Sequence, residues 1–343
     1  MSSESKFPGE FELISLLTRG EKGLAKDLIK GVGDDCAVIA KDDRNDLLIS
    51  TDSLIEDVHF KRGWGNFETL GRKALTVNLS DIAAMGGCPL FYLVDIGIPP
   101  GMDIGDLSSF YEGMRQVAGR AGVSLVGGDT TASKDLLYLS ITVIGEVPRG
   151  RALMRSGARP GDAIYVTGRL GGASLGLHCL MNGMEDDIHQ PFIERQLEPD
   201  HRIAMGITFM ETGFISSMID ISDGLVADMG HIADESGVGF TIESTSIPLF
   251  PNLTQVSSNL GVDPLRCALG GGEEYELLFT VDSKGEGGFL RSTESISSNV
   301  PITKIGVVEG DGAMRKVLGG NGESLIIDSS GFDHFGEKAM RRG

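Results

Sequence analysis

Aspartates recur in this sequence where apolar runs end. Asp34 and Asp35 follow Gly31-Val32-Gly33, Asp52 follows Leu47-Leu48-Ile49-Ser50-Thr51, and Asp81 closes Val77-Asn78-Leu79-Ser80. Asp129 follows Leu125-Val126-Gly127-Gly128, and Asp220 and Asp223 punctuate Met218 to Gly224. Buried strands that stop at carboxylates, often beside glycine, put negative charge on the rim of a sheet. Such charge needs compensation, and divalent cations with hard oxygen ligands are the usual source. The pattern predicts a magnesium and polyphosphate site.

Taken singly, each segment also has a plain structural reading. Ser50-Thr51-Asp52 offers hydroxyls, a carboxylate and carbonyls to magnesium, with Ser50 and Asp52 on one side of a strand and Thr51 on the other. The same string is a common turn and helix cap. Gly-Asp-Asp at 33–35 makes a turn, and Asp81 can sit on the polar face of a helix. Gly127-Gly128-Asp129 either presents bare amides and a carboxylate to phosphate or forms a tight turn. Asp220 and Asp223 either offset a helix dipole or hold a cation whose phosphate faces the helix N-terminus. Arg149, Arg151, Arg155 and Arg159 are a phosphate grip or a solvated linker. Gly270-Gly271-Gly272-Glu273-Glu274-Tyr275 is a further glycine-rich acidic turn. His59, seven residues after Asp52, is a ligand, a phosphate contact or a packing residue. The joint occurrence of these segments favours a single site. No G-x-x-x-x-G-K-[ST] loop and no H-R-D or D-F-G string is present. Gly168-Arg169-Leu170-Gly171-Gly172 has the wrong spacing for a dinucleotide fingerprint and reads as a glycine turn entering a helix.

The elements that must position these groups follow from periodicity. Residues 46–52 read as a strand ending at Asp52. Residues 67–85 read as a helix carrying Leu70, Ala74, Leu75, Leu79 and Ile82, stopped by Gly86-Gly87. Residues 90–98 read as a strand closed by Pro99-Pro100. Residues 104–121 form the clearest helix, with Leu107, Phe110, Tyr111, Met114, Val117, Ala118 and Ala121 on one stripe and Gly122 as the stop. Strands follow at 123–127 and 136–147. The Pro-, Gly- and Arg-rich stretch 148–162 reads as a link to a second domain. Beyond it lie strands at 163–167, 216–221, 275–281 and 302–308, and a helix over about 223–235 with Ser222 as its N-cap.

The 343 residues exceed one ordinary core and favour two domains. With a net charge of −19, generic nucleic-acid or anionic-membrane binding is disfavoured. Cys36, Cys88, Cys179 and Cys267 form no C-x-x-C pair, so neither a zinc site nor a disulfide framework is expected, and a reducing cytoplasm fits. The first fifteen residues lack an apolar signal core, and no apolar run approaches the ~20 residues of a membrane span.

In order, the segments resemble the thiamine-monophosphate kinase family over nearly the whole chain. The likeness starts at G-E-F-E-L-I and runs through V-G-D-D-C-A-V-I, S-T-D-S-L-I-E-D-V-H-F, A-L-T-V-N-L-S-D-I-A-A-M-G and V-G-G-D-T-T. It continues through R-A-L-M-R-S-G-A-R-P-G-D, I-D-I-S-D-G-L, G-G-G-E-E-Y-E-L and G-F-D-H-F. The wider superfamily includes aminoimidazole ribonucleotide synthetase, selenophosphate synthetase and a hydrogenase maturation factor. The reactive N-terminal Cys of the second and the C-terminal Cys of the third are not matched: the first cysteine here is Cys36, and the sequence closes on Met340-Arg341-Arg342-Gly343. Glu274 stands where many relatives have Asp.

The resemblance implies an α/β fold of mixed α+β character with two aminoimidazole ribonucleotide synthetase-like domains. Residues 1–148 would form an N-terminal mixed sheet with helices that binds ATP and magnesium and dimerises. Residues 149–343 would complete the nucleotide and substrate site. Asp35, Ser50, Thr51, Asp52, Asp81, Asp129, Asp220 and Asp223 would hold several magnesium ions. Tyr111, Gly128, Asp129, Arg155 and Ser222 would contact ATP, and His59, Glu273 and Phe332 thiamine monophosphate. The implied reaction is ATP-dependent conversion of thiamine monophosphate to thiamine diphosphate by a cytoplasmic homodimer. A phosphate monoester has its second pKa near ~6, so no general base and no phospho-enzyme are expected.

Overall fold

The structure is a computed structural model that describes residues 9–19, 25–326 and 331. The N-terminal half runs α1 (Glu10–Leu17), β1 (Leu28–Lys30), β2 (Ala37–Ala40), β3 (Asn45–Ile55), α2 (Phe67–Ala84), β4 (Cys88–Ile98), α3 (Ile104–Ala121), β5 (Ser124–Ala132) and β6 (Tyr138–Pro148). Its six strands form one sheet in the order β1-β2-β3-β6-β4-β5, antiparallel except for the parallel β4–β5 pair that α3 connects. The helix predicted over 104–121 is observed at those residues, capped by Asp103 at its start and stopped by Gly122 at φ 72°.

After a segment without regular structure, the second half runs β7 (Ala163–Thr167), α4 (Gly172–Met181), α5 (Gln190–Leu197), α6 (Ile203–Thr212), β8 (Ile215–Asp220) and α7 (Leu225–Ser236). It continues through β9 (Gly239–Glu243), α8 (Leu253–Asn259), α9 (Pro264–Gly270), β10 (Leu277–Val281), α10 (Glu286–Ser297), β11 (Ile302–Glu309), β12 (Arg315–Leu318) and β13 (Ser324–Leu325). These strands make a second sheet in the order β13-β12-β9-β11-β7-β10-β8. The mixed α/β expectation is met by both sheets. Among the described residues no helix is long and apolar enough to cross a membrane. All four cysteines are free thiols.

Helix α2 joins the halves. It packs on β3 and β6 of its own sheet and on α6 and β8 of the other. The crossings are close because glycine sits at the contacts. A Cβ on Gly71 would lie 1.9 Å from the Phe110 carbonyl oxygen of α3, and one on Gly206 of α6 would lie 2.1 Å from that of Ala83. Apolar packing continues across the division: Leu75, Leu79 and Ile82 of α2 share a core with Phe209, Phe279 and Phe289.

Several boundaries differ from the sequence expectation, for physical reasons. Strand β3 does not end at Asp52 but pairs with β6 through Ile55. Asp129 lies inside β5 rather than after it, whereas Asp81 lies on α2, within the helix expected over 67–85. Strand β10 begins at Leu277 rather than 275, because Glu273 and Tyr275 adopt φ values of 63° and 50° that a ladder does not accommodate. Ser222 is not the N-cap of α7. Gly224 occupies that position at φ 129° with no side-chain cap, and Asp228 Oδ2 accepts from the Asp223 and Gly224 N–H groups just ahead of the helix at 3.2 and 3.0 Å.

Candidate functional site

Between the two sheets lies a cavity of about 1140 Å³. Three carboxylates from three separate elements meet in its wall: Asp35 from the turn before β2, Asp81 from α2 and Asp220 from the end of β8. Each offers an oxygen within 4.8 Å of the others. Ser50 on β3 donates to Asp81, Ser80 on α2 donates to Asp220 Oδ2 at 2.6 Å, and Arg155 Nη2 meets Asp35 Oδ1 at 2.6 Å. Asp35 Oδ2 is buried with no hydrogen-bond partner among the described residues. Thr51, Asp52, Ser222 and Asp223 line the same cavity. Asp52 is set by its own backbone, whose N–H donates to Asn78 Oδ1 at 3.1 Å.

One arginine and two hydroxyls do not balance this charge. Burial, then the charge of Asp35, pushes the Asp220 carboxyl up to about 8. Burial, then Asp52, lifts Asp81 well above the carboxylate range, and Asp35 is raised chiefly by burial. Carboxylates so placed favour a proton or a cation. The donor set is all hard oxygen, and an orphaned buried oxygen faces it, so these residues fit magnesium. Cys36 sits behind them, 1% exposed, and burial raises its thiol well above the usual range, so it is no nucleophile.

The substrate candidates divide. Glu273 lines the cavity, ion-paired to Lys73 at 2.7 Å and hydrogen-bonded to Gln196. His59 also lines it, its Nδ1 accepting from Ile55 N at 3.0 Å. Phe332 lies outside the described residues; Gly331, the residue before it, lines the cavity.

Three other candidates stand apart. Gly128 and Asp129 are on β5, an exposed edge strand, and neither lines the cavity. In register, Asp52 faces Ile141, Ile141 faces Val94, and Val94 faces Gly128. Three inter-strand steps put Asp129 about 14 Å from Asp52 within one chain. Tyr111 packs edge-on against Phe110 at 5.7 Å on α3. Of the four arginines, only Arg155 reaches the cavity. Arg149 meets Asp43, Arg151 donates to the Met210 carbonyl, and Arg159 is exposed.

The structure adds residues that sequence reasoning passed over. Asn78 and Ser80 brace Asp52 and Asp220. The available signal was the polar Asn-x-Ser alternating with Val77 and Leu79 in the buried stretch of α2. Asp34, which the sequence pattern did single out, is held by Arg155, whose N–H donates to Asp34 Oδ1 at 3.2 Å; burial and the charge of Asp35 raise its carboxyl to about 6.

The AIR synthase related protein family matches this chain twice, its N-terminal domain over residues 33–147 and its C-terminal domain over residues 159–318. The thiamine-monophosphate kinase of Bacillus subtilis (strain 168) is 35% identical, the match covering 95% of this chain and 99% of that protein. That of Escherichia coli (strain K12) is 37% identical, covering 95% and 98%. The solved structure of AaThiL complexed with AMPPCP and TMP superposes with a TM-score of 0.81 at 33% identity, covering 95% of this chain and 97% of that one.

Proposed function

The chain belongs to the thiamine-monophosphate kinase family, and on that premise we propose that its cavity transfers the γ-phosphoryl group of ATP to thiamine monophosphate, yielding thiamine diphosphate and ADP. The observation that carries this reading is the convergence of Asp35, Asp81 and Asp220 from three elements on one cavity. An oxygen of the acceptor phosphate attacks the γ-phosphorus in line, and the bond to the β-phosphate oxygen breaks. The acceptor is already mostly deprotonated at neutral pH, since its second pKa is about 6. A base therefore contributes nothing, and none of these aspartates takes a proton from the nucleophile. The obstacle is charge: two unit charges ~4 Å apart repel by about 4 kcal/mol at an effective dielectric of ~20.

The metal holders are Asp35, Ser50, Thr51, Asp52, Asp81, Asp129, Asp220 and Asp223. Magnesium, when bound there, supplies the positive charge that lets two polyanions approach. The chain's own groups hold the carboxylates in place: Ser50 on Asp81, Ser80 on Asp220, and Arg155 on Asp35. Arg155 and Ser222 would contact the nucleotide, and His59, Glu273 and Phe332 thiamine monophosphate, with Phe332 assigned to its aromatic portion. Residues up to 148 form the nucleotide- and metal-binding lobe, and those beyond complete the site.

The chain acts as a homodimer paired over β5. Every residue of that strand is exposed, Leu125 and Val126 among them. Pairing there covers an open edge. Gly128 and Asp129, about 14 Å from Asp52 within one chain, would then join the site across the interface, as would Tyr111.

The test is a product assay with ATP, magnesium and thiamine monophosphate, read by mass detection of thiamine diphosphate, with aminoimidazole precursors as the competing acceptors. Product from thiamine monophosphate alone is the expected result. Asp52→Asn abolishes it while leaving the fold intact; near-normal turnover of that variant at low magnesium would sink the metal-holder assignment.

A further inference from the structure

Lys73 lies on α2 and is only 3% exposed. A buried ammonium is costly unless an anion meets it. The carboxylate that does so belongs to the other half of the molecule: Lys73 Nζ lies 2.7 Å from Glu273 Oε1. The second oxygen of Glu273 accepts from Gln196 Nε2 on α5, itself 2% exposed. Gln196 Oε1 is buried without a hydrogen-bond partner among the described residues. The backbone of Glu273 is held as well. It stands at φ 63°, unusual for a residue with a Cβ, and its N–H donates to the Ser222 carbonyl at 2.8 Å. A non-glycine residue persists there only when its surroundings over-determine it.

The helix sets where this happens. Residues 73, 77 and 81 share one face of α2. Val77 and Asp81 line the cavity, and Asp81 belongs to the carboxylate cluster. Eight residues at ~1.5 Å each place Lys73 about 12 Å along the axis from Asp81. Glu273 is in the cavity wall and Lys73 is behind it, displaced along α2 from the carboxylate cluster. The organic part of thiamine carries an aminopyrimidine donor and a thiazolium cation, and both seek an acceptor-only carboxylate.

We propose that Lys73 is a positioning residue for thiamine monophosphate, clamping the Glu273 carboxylate across the junction so that its remaining lone pairs face the organic end of the substrate. This rests on Glu273 being a substrate contact. Lys73 need not touch the substrate; it fixes the group that does.

The experiment is a double-mutant cycle on full-length protein, with Lys73→Met, Glu273→Gln and the pair, measuring kcat and KM for each substrate. Lys73→Met raises KM for thiamine monophosphate about tenfold, as loss of a charged hydrogen bond does, with kcat and KM for ATP within about twofold. In the Glu273→Gln background the same change adds little, because the two act through one contact. Unchanged KM in Lys73→Met, additive effects in the cycle, or equal losses in both KM values and kcat would each overturn the proposal. If Glu273→Gln itself leaves KM for thiamine monophosphate unchanged, it is the substrate assignment of Glu273 that fails. Should Lys73→Met not fold, Gln196→Leu tests the same clamp: a selective rise in that KM supports it, and its absence refutes it.

Discussion

Two groups of buried acids in this molecule have opposite settlements. Glu276, 1% exposed at the start of β10's approach, is gripped by Arg202 at 2.6 and 2.7 Å, by Arg195 at 2.9 Å and by the Thr167 hydroxyl at 2.7 Å. Burial alone would raise its carboxyl, but Arg202 and then Arg195 hold it below the ordinary value. Its neighbour Glu274 accepts from Gly171 N and Ala173 N at 2.7 and 3.2 Å, but burial still raises its carboxyl to about 7, so only Glu276 is held below the ordinary value. Asp35 and Asp220 are buried, Asp81 is partly buried, and the three share one arginine. Two arginines close the first group into a structural knot that ties α5 and α6 to the second sheet. The second group keeps surplus negative charge where it opens on a cavity. Surplus buried charge is retained where something positive is meant to arrive.

Removing a charge from each group should therefore act in opposite senses. Asp81→Asn should cost roughly 10³-fold or more in kcat, while the melting temperature in magnesium-free buffer stays level or rises. A fall in melting temperature with activity retained would reverse the comparison. Glu276→Gln should do the converse. It strands two buried guanidinium groups and should cost about 3–5 kcal/mol of stability, read by chemical denaturation, with the kcat of the folded fraction little changed.

The next effect is ligand-linked. Magnesium at about a hundred times its dissociation constant should stabilise the wild type by roughly 2.7 kcal/mol, seen as a calorimetric shift. Glu276→Gln should keep that shift and Asp81→Asn should lose most of it.

The smallest effect is on pH. The folded carboxyl of Asp220 is raised from 3.8 to about 8, so the native state binds more protons than the unfolded state in that window. Its contribution to stability is present below the lower value and lost as pH rises through the upper one. In chelator, the melting temperature should fall as pH climbs through this range, less steeply in Asp220→Asn or with magnesium. A slope unaffected by either change would mean that the cluster is already neutralised by the chain itself.

Much of the secondary structure was legible because it is local. Helix α3 carries a full apolar stripe, a capping aspartate and a stop glycine, so its limits follow from neighbouring residues alone. The same holds for β7. The start of β10 was not legible, since Glu273 and Tyr275 take left-handed backbone angles only because tertiary contacts hold them there. Ser222 looked like a cap, but Gly224 holds that position and α7 has no side-chain cap. In the site, residue types were legible and partners were not. The Lys73–Glu273 pair spans 200 positions of sequence, and nothing local marks it.

The sequence by itself determined the chemistry available: hard oxygen donors at recurring positions, a strongly acidic composition, a cluster of four arginines and an ordered set of segments that place the chain in its family. Tertiary structure decided which of these groups meet. Asp35, Asp81 and Asp220 converge because glycine contacts let α2 run close to α3 and α6, bringing one helix against both sheets. Asp129, of the same type and in a similar setting, is kept apart by three strand spacings. Side-chain pattern specifies the face of an element; the distance between elements depends on how their backbones pack, and that distance separates a cluster from a scatter of acids.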